Sequence, residues 1–581
     1  MSKNPFLFVL SAFLFVSASV GASSAYAADS GEGLQFCFLE DKEGNLPYPR
    51  LNFSQKTEND SRAATEVCFD KWYEANPTGS EPADASTYLN KWLSAKQDKI
   101  AFVRVTSDIK FGGRSTIGCA EGNNAFAGKM IATLYSWQTL YSQIDPQTNE
   151  PYVISGLCHF GGVEKIAFIE KFYGTMYNMN FDDIYFNAAA TNSSAGIIAE
   201  GLTGVDGSSV FNGYIHDVKV SNSEFQGTNV GAIVGKGNTD ISSAELHSVK
   251  IVGNSNTNSY VGGIIGDNTV RCLHADQGNV HPCSNAKNNG KSAGPFVLEN
   301  VDIFGSIVTG QQSYVGGIAG SITFNVQQEY HDISIKGLRL NGSTYAGGLF
   351  GQVFYDGSDD ETVNPSLEHK LSIHDVSIEH GSFKTLDGVE NGFIRASLRA
   401  GGLIGYCDVG NNANNTDGAD VEIYNVDNKI EVRIDNENNI SAGGIIGNLM
   451  NSSNETTNLS IYNTNTEGDV IGGSDSYKMG YLVGEMVTSK INLKQITDNS
   501  HYGANDYVAA KGIGSIDPAN WLNPPAPINA TGTGLVVKRN FRNEVNGESA
   551  QTSLVADGSL KSGSDGYYIE DATTSNKYSW E

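Results

Sequence analysis

The sequence predicts an all-β chain wound as a parallel β-helix, a solenoid in which each coil stacks on the one before. Three observations predict it. A glycine phrase recurs, as VGAIVG ending at Gly235, VGGIIG at Gly266, VGGIAG at Gly320, AGGLFG at Gly351, AGGLIG at Gly405, AGGIIG at Gly447 and MGYLVG at Gly484. A second phrase alternates with it, and the residues that make the spacing uneven are polar. A fixed phrase returning every few tens of residues marks one structural unit repeated along an axis, with insertions emerging from it.

The elements follow in order. Residues 1–27 read as a secretory signal: Lys3 supplies the charge, Phe6 to Val20 the apolar run, and Ala25-Tyr26-Ala27 the small-x-small pattern before Ala28. The expectation is an exported protein, secreted into the extracellular space or held at the cell surface. After signal removal no stretch reaches the eighteen or so apolar residues that span a bilayer, so no transmembrane segment is expected.

Residues 28–97 are a leading region that ends in a short amphipathic helix. In DASTYLNKWLSAKQ, Tyr88, Leu89, Trp92 and Leu93 recur at helical spacing, with Asp84 or Ser86 as N-cap. A solenoid's first coil exposes an apolar end, and this helix is expected to cap it. From Ile100 the period turns to alternation, and residues 98–484 are assigned to the β-helix.

Within that span the second phrase reads MYNMNF at Met176, IHDVKV at Ile215, LHSVKI at Leu246, LENVDI at Leu298, YHDISI at Tyr330, IHDVSI at Ile373, IYNVDN at Ile423 and IYNTNT at Ile461. Its third position is Asn178, Asp217, Ser248, Asn300, Asp332, Asp375, Asn425 and Asn463. Small polar side chains suit a tight corner because they bond nearby backbone and tolerate unusual φ. Apolar parity also changes across the position, so a bend there turns both halves of the strand toward one interior. The glycine phrases are expected to form a second corner, through positive φ and close backbone approach. Residues 485–581 lose the pattern and are assigned to a C-terminal extension.

The formal net charge of −27 and the lack of clustered Lys and Arg exclude nucleic acid as a partner. Seven cysteines in an exported chain permit disulfides. Pairing sequence neighbours gives Cys37 with Cys68, Cys119 with Cys158 and Cys272 with Cys283, leaving Cys407. No CxxC pair points to zinc.

The glycine phrases resemble the GLUG-motif family, whose G-G-φ-φ-G repeats occur in bacterial secreted and surface proteins with adhesin-like stalks. The resemblance covers about residues 97–484 and implies export, a right-handed β-helix, and attachment or scaffolding. It names no cofactor and no ligand. The expected partner is an extracellular glycan or protein surface, met by the insertions after Gly266, Phe354 and Tyr406 and by exposed coil faces.

The competing expectation is a polysaccharide lyase or hydrolase on the same scaffold, which needs converging acids. Its candidates are Asp182 with Asp183, Asp240 in Asn238-Thr239-Asp240, and Asp359 with Asp360 and Glu361. Two further patterns are weighed. His216 with His247, and His331 with His374, occupy one column of the aligned phrases and are expected to stack structurally. Tyr260, Tyr314 and Tyr345 precede glycine phrases and read either as a cover for the core edge or as a sugar-stacking strip.

Overall fold

The computed structural model describes residues 128–471 except 136–137, 207–208, 255–257, 270, 274–279, 283–295, 312, 325–326, 356–368, 382–391, 411–418, 435–440 and 452–456, together with separate strands on either side. The expected signal sequence and the expected capping helix at 84–97 lie outside the described residues. Within them the chain is all-β, and nearly every strand pairs in parallel with the equivalent strand of the next coil. The result is a solenoid-like stack with three faces.

One coil shows the pattern. Gln328–Lys336 lies on a long face, Arg339–Gly342 on a narrow face, and Tyr345–Gly347 with Phe350–Tyr355 on a glycine face. The next coil repeats this as Lys370–Glu379, Phe393–Ala396, Arg399–Gly401 and Ile404–Asp408. Residue stacks on residue: Ile215, Ile241, Leu298, Tyr330, Ile373, Ile423 and Ile461 form one unbroken interior column on the long face. Stacked coils satisfy each other's backbone donors and acceptors, which a single coil cannot do. The core is a continuous rod of Val, Ile, Leu and Phe with essentially no solvent exposure.

The long-face corner works through backbone conformation. Asn178, Asp217, Asn300, Asp332, Asp375, Asn425 and Asn463 all have φ between 52° and 57°, the left-handed region that Asn and Asp tolerate best. The ladder skips them: Glu299 pairs with His331 and Val301 with Ile333, leaving Asn300 and Asp332 outside the pairing. That single residue resets the alternation, so Ile215, Val218 and Val220 are all buried while Asp217 is exposed.

Ser248 also has positive φ, 53°, but at another corner. Leu246 stacks on Val220 and His247 on Ser221, so Ser248 aligns with Asn222 and Asp183 below and Gly305 and Gly337 above. All five have positive φ. Each donates its N–H to the residue before the corner on the next coil, as Asn222 N to His247 O at 2.9 Å and Gly305 N to Lys336 O at 2.9 Å. Both corners demand a small polar or glycine residue between buried apolar ones, so LHSVKI imitates IHDVKV in sequence while lying five residues further round the coil. At the long-face corner of that coil stand Ser242 and Ser243, and neither has positive φ.

The glycine phrases differ from expectation in mechanism. None of the five Gly-Gly pairs, which begin at Gly262, Gly316, Gly347, Gly401 and Gly443, has positive φ. Close approach is what they need: a Cβ on Gly263, Gly317, Gly348 or Gly402 would lie 1.7–2.1 Å from the carbonyl oxygen of the matching glycine one coil on. Gly235, Gly266, Gly320, Gly351, Gly405, Gly447 and Gly484 then stack in one ladder. Both apolar residues between the glycines enter the core, as Ile264 and Ile265 do.

Parallel pairing runs on past Gly484, through Ile491–Asp498 on the long face and Ile513–Ile516 on the glycine face. Beyond them Val536–Asn543 and Glu548–Val555 pair antiparallel. At the other end, Phe36–Glu40 pairs antiparallel with both Thr65–Phe69 and Phe102–Val105.

Candidate functional site

Two exterior ladders and one edge collect the chemistry-bearing residues. On the glycine face, Tyr260, Tyr314 and Tyr345 stand in register on successive coils. Tyr260 and Tyr314 stack with centroids 5.3 Å apart, and Tyr314 and Tyr345 meet at 5.2 Å with planes tilted by 43°. Tyr345 continues onto Tyr406 at 4.8 Å, a member that sequence reasoning missed because Tyr406 follows its glycine phrase instead of preceding it. Offset stacking uses the ring faces, so the face of Tyr314 toward Tyr260 is taken, while Tyr345 meets it at a tilt of 43°. The strip is half-buried.

On the long face a second column runs Tyr177, His216, Ser242, Glu299, His331, His374, Tyr424 and Tyr462. His331 and His374 stack at 4.9 Å with planes 2° apart, and Tyr424 continues the stack at 4.5 Å. Each imidazole sits between two carboxylates. His331 meets Asp332 at 2.7 Å and Glu299 at 3.3 Å; His374 meets Asp375 at 2.7 Å and Glu329 at 3.1 Å. Burial alone would lower the His374 pKa, but the hydrogen bonds to Asp375 and Glu329 outweigh it and leave the pKa raised. The other expected pair does not form. His216 contacts Ser242 Oγ at 2.6 Å and Asp217 at 2.9 Å, whereas His247 stacks on Phe304 at 4.6 Å in a different column, because its phrase belongs to the other corner. Among the described residues no group of three or more His, Cys, Asp or Glu is arranged to hold a metal ion.

The candidate acids are placed separately. Asp182 accepts bonds from Ser221 Oγ at 2.7 Å and Asn222 Nδ2 at 2.8 Å, bracing one coil to the next. Asp183 is itself a corner residue, with φ 52°. Asp240 is half-buried on the long face and accepts from Asn212 Nδ2 at 3.0 Å and Val297 N at 3.3 Å. Desolvation outweighs those two bonds and pushes its pKa up to about 7. Asp359, Asp360 and Glu361 lie outside the described residues.

The insertions share one edge. The glycine-face strands run to Thr269, Tyr355 and Asp408, and the long face resumes at Phe296, Lys370 and Asp420. A hairpin of Thr203–Asp206 against the start of Ser209–Ser221 occupies the same edge. In the first insertion Arg271–Leu273 pairs antiparallel with Val280–Pro282, with Cys272 opposite His281, and Cys283 lies outside the described residues. Cys37 lies directly opposite Cys68 in its ladder. Cys158 is disulfide-bonded, and Cys119 lies outside the described residues. Cys407 is free and fully buried, and desolvation raises its pKa.

The narrow face carries a feature that the sequence reading passed over. Arg395 and Arg433 are exposed and directly opposite each other on adjacent strands, and Arg339 lies over the Phe393 ring at 5.1 Å. These arginines are separated by tens of residues in sequence, so only the register unites them. Among the described residues no helix is long and apolar enough to cross a membrane. No family model, no curated protein and no solved structure matches the chain.

Proposed function

We propose that this is an exported adhesion or scaffold protein, not an enzyme: a right-handed parallel β-helix, capped by the short helix at 84–97, that meets an extracellular glycan or protein surface through its faces and edge insertions. The GLUG resemblance of the glycine phrases supports export and attachment. The observation that carries the reading is the in-register repetition of exterior side chains over many coils, as in Tyr260, Tyr314 and Tyr345. A rigid, periodic surface suits an extended partner, whereas catalysis needs different groups converging at one point. Insertions collected along one edge give such a scaffold a place to acquire selectivity.

The test is adhesion of beads coated with the purified mature chain to cells and to a glycan array, with cell fractionation for location. Binding without turnover is the expected result.

One observation favours the alternative, a carbohydrate-cleaving enzyme. Asp240, with its pKa near neutrality, is poised as a general acid or base. A reducing-sugar assay on pectin and hemicellulose decides. Turnover that disappears in Asp240→Asn would overturn the adhesion reading.

A further inference from the structure

Tyr424 and Tyr462 stand opposite each other on adjacent long-face strands, 38 residues apart in sequence and one coil apart in space. Their rings lie 4.9 Å apart with planes 1° from parallel, and both are partly exposed. Side chains on either side of the pair fix that register. Asn463 Nδ2 donates to Asn425 Oδ1, Asn465 Nδ2 to Asp427 Oδ1 at 3.0 Å, and Asn458 Nδ2 to Asp420 Oδ1 at 2.6 Å. The fold itself therefore keeps these two phenols as neighbours.

One of the two phenols also has a base. Tyr462 donates its O–H to Glu422 Oε1 at 2.8 Å, and Lys370 Nζ pairs with the other carboxylate oxygen at 2.5 Å. Burial and that carboxylate hold the Tyr462 pKa above its ordinary value, so near neutral pH the proton stays on the ring oxygen until an electron leaves. When one leaves, an acceptor already in hydrogen-bond contact takes the proton. The glycine-face stack differs at Tyr406, whose O–H points to the Met450 sulfur at 3.3 Å, a weak acceptor.

We propose that Tyr424 and Tyr462 form an oxidative cross-linking site, joined as dityrosine by hydrogen peroxide acting through a haem peroxidase. Each phenol gives one electron to the oxidant and releases one proton, that of Tyr462 by way of Glu422. The two phenoxyl radicals join Cε to Cε, and the hydrogen on each joined carbon moves to its ring oxygen, restoring both rings. The two electrons and two protons reduce one peroxide to two waters. Parallel strands about 4.8 Å apart and the broad χ2 well of tyrosine let the ring edges meet without separating the coils. The product is a covalent staple between two coils, which goes beyond the adhesion reading and does not depend on it.

In the experiment the full mature chain, kept dilute, is treated with hydrogen peroxide and a haem peroxidase, then digested and mapped by mass spectrometry. A cross-linked peptide pair carrying Tyr424 and Tyr462 of one chain is expected, ahead of any pair joining glycine-face tyrosines. It is expected to vanish in Tyr424→Phe and in Tyr462→Phe, each of which keeps the ring and an unchanged circular dichroism spectrum. Glu422→Gln, which keeps a hydrogen-bond acceptor but removes the base, is expected to slow the cross-link roughly tenfold. The site is overturned if this pair does not form, if it forms only between chains, or if glycine-face pairs form as fast. Cross-linking at the parent rate in Glu422→Gln overturns the carboxylate as proton acceptor.

Discussion

Corner residues and glycines impose opposite demands on a side chain. At Asn425 the backbone sits at φ 53° and the side chain donates to Asp375 Oδ1 at 3.0 Å. A β-branched residue there pays the left-handed penalty and loses the bond. Asn425→Val is therefore expected to destabilise by about 1–2 kcal/mol, while Asn425→Gly stays within a few tenths; chemical denaturation of both variants checks the order. At Gly402 the obstacle is space, since a Cβ would stand 1.7 Å from the Gly444 carbonyl oxygen. Gly402→Ala must push two coils apart and is expected to cost about 3 kcal/mol or more, seen as a lowered denaturation midpoint. Cys407 gives a third test at this scale. Its buried, pKa-raised thiol is expected to resist iodoacetamide in the native protein and to react once denatured, so mass spectrometry of that cysteine reports on opening of its coil.

At the scale of the element, the long-face strands carry a pH dependence. His374 has a raised pKa and Asp375 a lowered one, the latter chiefly through its bond to His374. The histidine's contribution is full below its unfolded pKa of about 6.5 and fades as pH rises through the higher folded value. The aspartate's contribution is present above about pH 4 and fades as pH falls. The pair therefore stabilises most between those limits. His374→Ala is expected to lower Tm by more at pH 5.5 than at pH 8.5, and an equal loss at both would sink the idea. Because Asp375 is largely exposed, solvent screening keeps the effect to a few degrees.

Over the whole molecule, much of the coil was legible because its demands are local. Asn178, Asp217, Asn300, Asp332, Asp375, Asn425 and Asn463 announce a corner by residue type and by the parity change around them. Their positions did not reveal which corner Ser248 serves, because two corners share one grammar and only pairing partners tell them apart. For the same reason His216 and His247 looked aligned and are not. The Arg395 and Arg433 pair was invisible for a related reason: its members are neighbours only after a full turn of the chain. Asp240 was visible as a three-residue match, but its raised pKa comes from burial among the stacked coils, against the opposing bonds from Asn212 and from Val297, which returns after an insertion.

The stacked register also has a mechanical meaning. Ile215, Ile241, Leu298, Tyr330, Ile373, Ile423 and Ile461 sit above one another, so successive coils hold 26, 57, 32, 43, 50 and 38 residues. Tension along the axis loads the hydrogen bonds between coils lengthwise, and coils can peel from an end one at a time. Each release would lengthen the tether by a different amount, on the order of 3.5 Å per residue freed. Under load the rod would behave as a shock absorber with unequal steps, its insertions setting how much slack each yielding coil delivers.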